Sequence, residues 1–330
     1  MTVSIIIAVK ACCENLKECV SKCLELEFAG YEIIVLPDLN FDAQDVFSSP
    51  KVRIIPTGDV TPPKKRDIGV ENAKGDVIAF LDDDAYPAKE WLAVAAEIFD
   101  EGDSIGCVCG PAVTPFSDNI RQKASGLVYS SHLVSGNHVF RYIPGKRREV
   151  LDFPSCNFFI RKKLFERIGG FNKPFWPGED TFLCLKVLET KKKMIYDPKV
   201  LVSHHRRSLF KGHLRQIKSY ALHRGYFAKR YPKNSLKPEY FIPSIFTLGL
   251  LAGAVLSLTF SAFASFYFIL LAIYLIIIIG SSCFLALKED KFPLTRIQLS
   301  LLVISGIILT HLAYGLFFLR GLFAKKMLEE

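Results

Sequence analysis

The sequence predicts an α/β domain that is followed by an all-α membrane region. In the first 205 residues, short apolar runs of strand length alternate with helical patterns, which favours a parallel sheet covered by helices. The 48 residues from Tyr240 to Leu287 contain no Asp, Glu, Lys or Arg. As one helix they would be about 70 Å long, more than twice the hydrocarbon thickness of a bilayer. This run therefore predicts two membrane spans that fold back between Ser261 and Ser265.

A third apolar run, from Ile297 to Leu319, belongs to the same region. Buried core helices are the alternative for all three runs, but their lengths favour membrane spans. The predicted division is a first domain at 1–205, basic amphipathic helices at 206–239, and a transmembrane region at 240–330 with spans at about 241–260, 265–287 and 297–319.

The net charge of +9 is concentrated in one segment. Between Ser203 and Lys237 there are ten Lys or Arg residues and no acid, whereas the other 295 residues carry 32 basic and 33 acidic residues. Because this segment directly precedes the first span, it favours contact with anionic lipid headgroups on the cytosolic side rather than with nucleic acid. We therefore expect a multi-pass protein of the cell (inner) membrane whose first domain is cytosolic; Met1–Val9 also lacks the basic leader of a secretory signal.

The C-terminal tail conflicts with this topology. Three spans would place Arg320, Lys325 and Lys326 on the outer side, which the positive-inside tendency disfavours. Either the last apolar segment is interfacial or re-entrant, or the short tail departs from the rule.

The individual elements follow from the apolar pattern. We expect strands at Val3–Val9, Tyr31–Leu36, Val52–Ile55, Asp76–Leu81 and Tyr196–His204, and helices at Glu14–Glu27, Pro62–Ala73 and Thr181–Glu189.

Acidic residues follow two of the predicted strands. Asp38 comes after the second strand, and Asp82, Asp83 and Asp84 come directly after the fourth. In parallel sheets, ligands bind beyond the carboxyl ends of the strands, so these acids are expected to face one crevice. Asp82 and Asp84 flank Asp83 and can point to the same side, which suits a hard cation such as Mg²⁺ or Mn²⁺ on a diphosphate. A solvated acidic turn is the alternative.

Two further groups are candidates for the same site. Glu179 and Asp180 precede a predicted helix, where they act either as helix caps or as a general base that takes a proton from an acceptor hydroxyl. His204 follows Val200 and Val202 on one face of its strand, where it either completes the metal shell or belongs to a surface histidine pair with His205.

The basic segment from Arg207 to Tyr231 has the pattern of a helix in the membrane interface. Phe210, Leu214 and Ile217 recur at helical spacing among the basic residues. The segment serves either as a plain juxtamembrane anchor or as a phosphate-binding element in which Arg215 or Arg224 grips the donor or a lipid-linked acceptor.

The nine cysteines are read as small apolar residues of a reduced protein. The pair Cys107 and Cys109 does not have a usual zinc spacing, and no second pair completes a site. Neither a disulfide nor a cysteine metal site is expected.

Together these motifs resemble glycosyltransferase family 2, over about three-fifths of the chain from Val3 to His204. The most specific match is the succession of Lys65–Gly69, Ala73–Asp76 and Phe80–Asp84. The other matching segments are Val3–Val9, Glu32–Asp38, Asn157–Arg161, Gly169–Asn172, Gly178–Asp180 and Pro198–His204.

The resemblance implies a GT-A fold, which is a Rossmann-like mixed sheet flanked by helices, and a UDP- or GDP-sugar donor. It implies that Asp38 binds the base, and that Arg66, Asp82 and Asp83 belong to the donor site. Asp84, with Asp82 and His204, would hold Mg²⁺ or Mn²⁺, and Asp180, beside Glu179, would be the base of an inverting displacement. The family usually has two acids where this chain has Pro37 and Asp38, and Arg-Asn where it has Arg66 and Asp67, so the nucleotide is left open.

The tail is similar to that of bacterial exopolysaccharide transferases that act on polyprenyl-diphosphate sugars. This similarity implies transfer of one sugar to a lipid-linked acceptor in polysaccharide biosynthesis. A polyprenyl-phosphate monosaccharide synthase and a non-catalytic membrane scaffold are the alternatives, and the oligomeric state is left open.

Overall fold

The computed structural model describes residues 1–41, 44–171 and 176–327, so that Asn172 lies outside the described residues. The chain forms two compact units. Among the described residues, unit 1 comprises Met1–Val113 and Phe140–His205, and unit 2 comprises Thr114–Val139 and residues 206–327. Unit 1 ends at the residue where the sequence predicts the first domain to end. The sequence pattern does not predict that Thr114–Val139 belongs to unit 2, together with the long apolar helices.

Unit 1 is built on two sheets. The main sheet has the order β3-β2-β1-β4-β9-β6-β10-β8, and the small sheet has the order β5-β11-β7. The strands in the described part of the chain are β1 (Val3–Ala8), β2 (Tyr31–Leu36), β3 (Val52–Ile54), β4 (Val77–Asp82), β5 (Ala85–Pro87), β6 (Ile105–Cys109), β7 (Ala112–Val113), β8 (Arg148–Glu149), β9 (Asn157–Arg161), β10 (Lys193–Tyr196) and β11 (Val202–His204).

Helices are numbered along the whole chain; α4, α5 and α8 to α12 belong to unit 2. They are α1 (Glu14–Leu24), α2 (Pro62–Glu71), α3 (Trp91–Asp100), α4 (Ile120–Ser130), α5 (His132–Ser135), α6 (Lys162–Arg167), α7 (Glu179–Glu189), α8 (Lys211–Arg230), α9 (Pro232–Ser235), α10 (Ile242–Thr259), α11 (Ser261–Glu289) and α12 (Pro293–Phe323).

The main sheet is mixed. Strands β3, β2, β1 and β4 are parallel, but β9 is antiparallel to both of its neighbours, β4 and β6. Strands β6 and β10 pair parallel to each other and run in the same direction as the first four, whereas β8 is antiparallel to β10. The parallel sheet that the alternation of strands and helices favours is therefore correct for these six strands and wrong for β8 and β9. The mixed sheet that the family resemblance implies is confirmed.

The sheet carries a core on each face because successive side chains of a strand point in opposite directions. On β1, Ile5 and Ile7 join a cluster that includes Leu16 of α1 and Trp91 of α3. Ile6 joins the opposite cluster, with residues of α2, α6 and α7. The result is a three-layer α/β/α arrangement, which is the layering that the sequence predicts.

The predicted strand from Tyr196 to His204 is wrong. The chain forms β10 up to Tyr196 and then turns at Asp197, whose carboxylate accepts a hydrogen bond from the Lys199 amide at 2.9 Å, before β11 begins in the other sheet. Asp-Pro is a turn-forming pair, and it interrupts the apolar pattern here. The helix predicted at Thr181 also begins earlier, at Glu179, after Gly178 at φ 117°.

Unit 2 contains three apolar helices that are long enough to cross a membrane, which confirms the predicted apolar helical region by length and composition. The break between α10 and α11 lies at Phe260, one residue before the predicted fold-back between Ser261 and Ser265, and those residues already belong to α11. The predicted basic helix is α8, and its buried residues include Ile217, Ala221 and Phe227. Six of the nine cysteines are buried, as expected of apolar residues, but Cys12, Cys13 and Cys283 are exposed; all nine are free thiols.

His213 of α8 makes unit 2 sensitive to acid. The imidazole is fully buried, with its two nitrogens 2.8 Å from the Ser125 hydroxyl and 2.9 Å from the Thr310 hydroxyl. Burial lowers the pKa of His213 to about 4. A lowered pKa means that the unfolded chain binds the proton more readily, so stability is lost as the pH falls from the usual value of about 6.5 towards 4.

We expect the free energy of unfolding to fall by about 2 kcal/mol between pH 7 and pH 5 through this histidine alone. The H213Q variant should lose that part of the pH dependence, as measured by thermal unfolding of the full chain in detergent at several pH values. An equal fall in the wild type and the variant would show that His213 does not carry the effect.

Candidate active site

The carboxyl ends of three parallel strands meet at one edge of the main sheet. Ala8, the last residue of β1, is in register with Leu36 of β2 and with Asp82 of β4. Asp38 follows β2 by two residues, and Asp84 follows β4 by two. The structure therefore places Asp38 and the acidic triplet at the same edge, as the sequence predicts.

Three of the predicted ligands form a cluster that is suited to a cation. Single ligand atoms of Asp82, Asp84 and His204 lie within 4.8 Å of one another. The His204 Nε2 atom is 2.9 Å from Asp84 Oδ1. Two carboxylates and one imidazole fit a divalent ion such as Mn²⁺, because carboxylates are preferred by hard cations and an imidazole is accepted by transition metals. Mg²⁺ fits the carboxylates equally well.

The small sheet brings His204 to the triplet. Strand β11 pairs with β5 so that His204 lies opposite Ala85, the residue after Asp84. The His205 amide donates a hydrogen bond to the Asp84 carbonyl at 2.9 Å. Of the two histidines, only His204 therefore belongs to the cluster with Asp82 and Asp84; His205 Nε2 lies 2.9 Å from the Glu18 carboxylate on α1.

One glycine allows β11 to approach the main sheet. A Cβ atom on Gly110 would lie 1.7 Å from the Val200 carbonyl oxygen, so that only glycine fits there. Asn157 joins the same two segments, since its side-chain amide donates to the Gly110 and Val200 carbonyls at 2.8 Å each. The position of His204 depends on this close contact between segments far apart in sequence.

Asp83 differs from its two neighbours. Its carboxylate is not part of the three-residue cluster, and one of its oxygens lies 4.0 Å from the Cys13 thiol. Burial, followed by the charges of Asp84 and Asp82, raises the pKa of Asp83 to about 7. The geometry therefore separates Asp83 from the pair that is predicted to hold the metal.

Burial and ion pairing shift the pKa of His204 in opposite directions. Burial alone would lower its pKa, but the charge and the hydrogen bond of Asp84 raise the pKa to about 10. The imidazole is thus held as a cation beside the carboxylates, and an incoming metal ion must displace its proton.

Arg66 joins the acidic triplet to the first turn of α7. Its guanidinium donates to Asp82 Oδ1 at 2.8 Å and to Glu179 Oε1 at 3.0 Å. Arg66 and Glu179 are each 6% exposed, so their ion pair lies away from bulk water, whereas the Asp82 side chain is 31% exposed. The acidic triplet and the acids of α7 are therefore neighbours, and the Arg66 guanidinium bridges them.

The two acids of α7 have different surroundings. Burial and the charge of Asp180 raise the pKa of Glu179 to about 7, although Arg66 acts in the opposite direction. Asp180 is partly exposed, and its Oδ1 accepts a hydrogen bond from the Thr181 amide at 2.7 Å. Both acids lie in the first turn of the helix, where the helix dipole favours negative charge. The partly exposed Asp180 is the one that can meet a ligand.

Lys65 is a site residue that the sequence pattern does not indicate, and it is 3% exposed. Its ammonium donates to the Val9 carbonyl at 2.8 Å and to the Leu36 carbonyl at 3.3 Å, and it forms a salt bridge with Asp38. A lysine at the start of a helix usually points to solvent, so no local signal marks this one as buried. Asp38 is thereby tied to the ends of β1 and β2.

Arg215 and Arg224 both lie on α8 in unit 2 but differ in exposure. Arg215 is exposed, whereas Arg224 is partly buried, with its guanidinium 4.9 Å from the centre of the Tyr240 ring. Their predicted contact with a phosphate stays a prediction, and this packing makes Arg215 the more accessible of the two.

Removing the Arg66 guanidinium should lower the stability of the folded protein. In R66M, the carboxylates of Asp82 and Glu179 lose their common partner, and the Glu179 carboxylate is left buried without it. We expect a loss of about 3–5 kcal/mol in unfolding free energy. Thermal or denaturant unfolding of the full chain measures the effect.

Arg53 supplies the matched control, because its salt bridge with Glu32 at 3.0 Å is more exposed. R53M should cost no more than about 1 kcal/mol. Equal losses in the two variants would contradict a special role for the buried bridge.

Comparison with known proteins agrees with this architecture. The profile of the family described as Glycosyl transferase family 2 matches residues 4–169, which is half of the chain. The pre-mycofactocin glycosyltransferases of Mycobacterium tuberculosis strains CDC 1551 / Oshkosh and ATCC 25618 / H37Rv are each 27% identical over 154 residues. The match covers 44% of this chain and only 30% of each of those relatives.

A solved structure shares the fold. The mannosyltransferase PcManGT from Pyrobaculum calidifontis, in complex with GDP-Man and Mn²⁺, aligns over 98% of this chain and 88% of its own, with a TM-score of 0.59 and 17% identity. At that identity the likeness shows the fold alone, and it confirms the predicted GT-A arrangement. With the profile match over half of its length, the chain belongs to glycosyl transferase family 2.

Proposed function

We propose that this protein transfers one sugar from a UDP- or GDP-linked donor to a lipid-linked acceptor, with Mg²⁺ or Mn²⁺ held by Asp82, Asp84 and His204. The observation that carries the proposal is the Arg66 bridge, which connects the cation-binding cluster to the acids of α7. A transferase needs the two groups together, one for the leaving diphosphate and one for the attacking hydroxyl.

The donor side consists of Asp38, Arg66 and the acidic triplet. A bound divalent cation would neutralise the negative charge that develops on the departing nucleoside diphosphate. Asp38, fixed by Lys65, offers a carboxylate that accepts a hydrogen bond from an N–H group of the base. PcManGT was solved with GDP-Man and Mn²⁺, which supports a donor and a cation of this class.

The acceptor side is the first turn of α7. We assign Asp180 as the general base, because it is the more exposed of the two acids. The acceptor oxygen forms a bond to the anomeric carbon as the bond from that carbon to the diphosphate oxygen breaks, and Asp180 takes the hydroxyl proton. A single displacement of this kind inverts the anomeric configuration. Glu179 holds Arg66 in place between the two halves.

A lipid-linked acceptor is supported by unit 2. Its three apolar helices expose large hydrophobic side chains along much of their length. On α8, the basic residues Lys211, Arg215, Lys218 and Lys229 are exposed and recur at helical spacing, so they form one basic stripe. Such a stripe suits the phosphate of a polyprenyl carrier or the headgroups around it. It also supports membrane localisation with α8 on the cytosolic side.

The test is incubation of the purified full chain with a panel of UDP- and GDP-sugars, with Mn²⁺, Mg²⁺ or EDTA. We expect one donor to raise the thermal midpoint in the presence of metal and to be hydrolysed or transferred. If no donor binds and none is turned over, the enzyme proposal is overturned and the non-catalytic scaffold is favoured.

The acceptor is then distinguished by the product. Polyprenyl phosphate and polyprenyl-diphosphate sugar are supplied separately with the active donor. A new glycosidic bond on the diphosphate sugar supports the proposal, and NMR of its anomeric proton tests inversion. A product only on polyprenyl phosphate would instead identify a polyprenyl-phosphate monosaccharide synthase.

A further inference from the structure

Cys156 lies at the same edge of the main sheet as the acidic triplet. It directly precedes β9, which pairs antiparallel with β4 so that Asn157 lies opposite Leu81. Extending that register by one residue places Cys156 beside Asp82, where β4 ends. The side chain is 9% exposed and belongs to a core cluster that also contains Val202 of β11. Cys156 is thus close both to the end of β4 and to strand β11.

The thiol of Cys156 shares a hydrogen bond with the imidazole of His204. One nitrogen of that ring is already engaged, because His204 Nε2 lies 2.9 Å from Asp84 Oδ1. This leaves Nδ1 for the thiol. In the described part of the chain, the group of ligand atoms within 4.8 Å of one another comprises Asp82, Asp84 and His204 without the sulfur. Cys156 is therefore a neighbour of one candidate ligand and not a fourth ligand.

The next residue, Asn157, holds the chain that leads into β11. Its side chain is fully buried and accepts a hydrogen bond from the Trp91 indole at 2.9 Å. Its amide donates to the Gly110 and Val200 carbonyls at 2.8 Å each. These bonds fix the backbone that carries His204. Rotation of the imidazole ring depends instead on the hydrogen bonds that the ring itself makes.

The partner of the second ring nitrogen matters for metal binding. A histidine that binds a metal through one nitrogen usually donates a hydrogen bond from the other. That second bond decides which nitrogen carries the proton, and so which lone pair faces the metal. A thiol sulfur is a weak acceptor, but it can take an N–H bond. With the proton of a neutral His204 on Nδ1, the lone pair of Nε2 faces the carboxylate of Asp84 and the ion beside it.

We propose that Cys156 is a positioning residue for the metal: its sulfur accepts a hydrogen bond from Nδ1 of His204 and keeps the lone pair of Nε2 directed at an ion held with Asp82 and Asp84. This inference rests on the metal site of the proposed function. It assigns to Cys156 an effect on metal affinity that acts entirely through the His204 ring.

Two variants that remove the same sulfur atom test the proposal. C156A removes the acceptor, and C156S replaces it with a hydroxyl that can accept the same N–H bond. The full chain in detergent is titrated with Mn²⁺, and free ion is measured by electron paramagnetic resonance. We expect C156A to bind Mn²⁺ about tenfold more weakly, at the lower end of the usual effect of a supporting residue, because a thiol is a weak acceptor. C156S should bind within about threefold of the wild type.

Cys107 is the matched control for the loss of a buried thiol. It is fully buried in β6 and belongs to the core cluster on the opposite face of the sheet. C107A should lower the thermal midpoint and leave Mn²⁺ affinity unchanged. A loss of affinity as large as that of C156A would show that any cavity in the sheet weakens the site, and would overturn the proposal. C156V keeps the apolar bulk without the acceptor, should lose affinity as C156A does, and replaces that variant if it does not fold.

A double-mutant cycle tests whether Cys156 acts through His204. In the H204A background the imidazole is absent, so adding C156A should change Mn²⁺ affinity by less than about threefold. A further tenfold loss in that background would mean that Cys156 affects the site by another route, which would refute the positioning role.

Cobalt distinguishes positioning from direct ligation. Co²⁺ bound to the wild type should show no sulfur-to-metal charge-transfer band in the near ultraviolet, because the thiol contacts the imidazole and not the ion. A strong band that disappears in C156S would make Cys156 a ligand and overturn the proposal.

The wild-type titration separates this inference from the proposed function. If the wild type binds no Mn²⁺, the metal site of the proposed function fails and the role of Cys156 fails with it. If the wild type binds Mn²⁺ and C156A binds it equally tightly, only the role of Cys156 is refuted.

Discussion

Replacing Asp180 with asparagine should reduce sugar transfer by about 10²–10⁴-fold, which is the usual contribution of a general base. Donor affinity should change by no more than about threefold, because the donor-side residues Asp38, Asp82 and Asp84 are untouched. Asparagine keeps the size of the side chain and its acceptor for the Thr181 amide, so the first turn of α7 should remain folded. Single-turnover kinetics and equilibrium binding of the donor, with metal present, measure the two effects separately.

Glu189 provides a matched control for this variant. It lies at the other end of the same helix, is exposed, and should tolerate replacement by glutamine without loss of activity. Glu179→Gln should behave differently from both, since it weakens the Arg66 bridge and so lowers stability as well as activity. Full activity in D180N would refute the role of Asp180 as base.

The second large effect is expected at Asp84. D84N removes one of the two carboxylates of the cluster, and Mn²⁺ affinity should fall by more than about 100-fold, since even residues that only support a ligand contribute about 10–100-fold. Titration of Mn²⁺ followed by electron paramagnetic resonance, which distinguishes free from bound ion, gives the affinity directly. Sugar transfer should fall in parallel and recover only partly at saturating Mn²⁺.

Asp83 is the control that the triplet itself supplies. D83N changes a neighbouring carboxylate of the same type, but that carboxylate lies outside the cluster. It should bind Mn²⁺ within about threefold of the wild type. Equal losses in D83N and D84N would show that the ion binds the triplet through charge alone, and no loss in either would place the metal elsewhere.

Local patterns were sufficient for the elements that build the donor side. Strand β2 has the predicted bounds, β1 ends one residue earlier than predicted, and β4 begins and ends one residue later. Each is a short apolar run that ends at a polar residue, so burial and chain direction are both visible in the sequence. The position of the Asp82 triplet at the sheet edge follows from β4 alone.

Contacts between distant segments could not be predicted in this way. Nothing local indicates that β9 inserts antiparallel between β4 and β6, or that Thr114–Val139 packs with the apolar helices of unit 2. The strand pattern left His204 either in the metal shell or in a surface histidine pair, and only the family resemblance favoured the metal shell. Its position beside the acids depends on the pairing of β11 with β5, which no local pattern shows. The buried ion pairs of Lys65 and Arg66 likewise depend on tertiary packing. The helix propensity of a residue gives no information about such contacts.

Lys65 fixes the orientation of the Asp38 carboxylate, which we propose binds the base of the nucleotide. Its ammonium group binds two strand-end carbonyls as well as the Asp38 carboxylate, so that this acid is held in place by the folded protein itself. Ordering a mobile side chain costs a ligand about 0.5–1.5 kcal/mol of binding energy, and a carboxylate that is ordered in advance spares the ligand this cost. The lysine also compensates the negative charge, which leaves a rigid hydrogen-bond acceptor rather than a free anion. Selection among nucleotides at Asp38 would therefore depend on whether the base presents an N–H group at the right distance and angle.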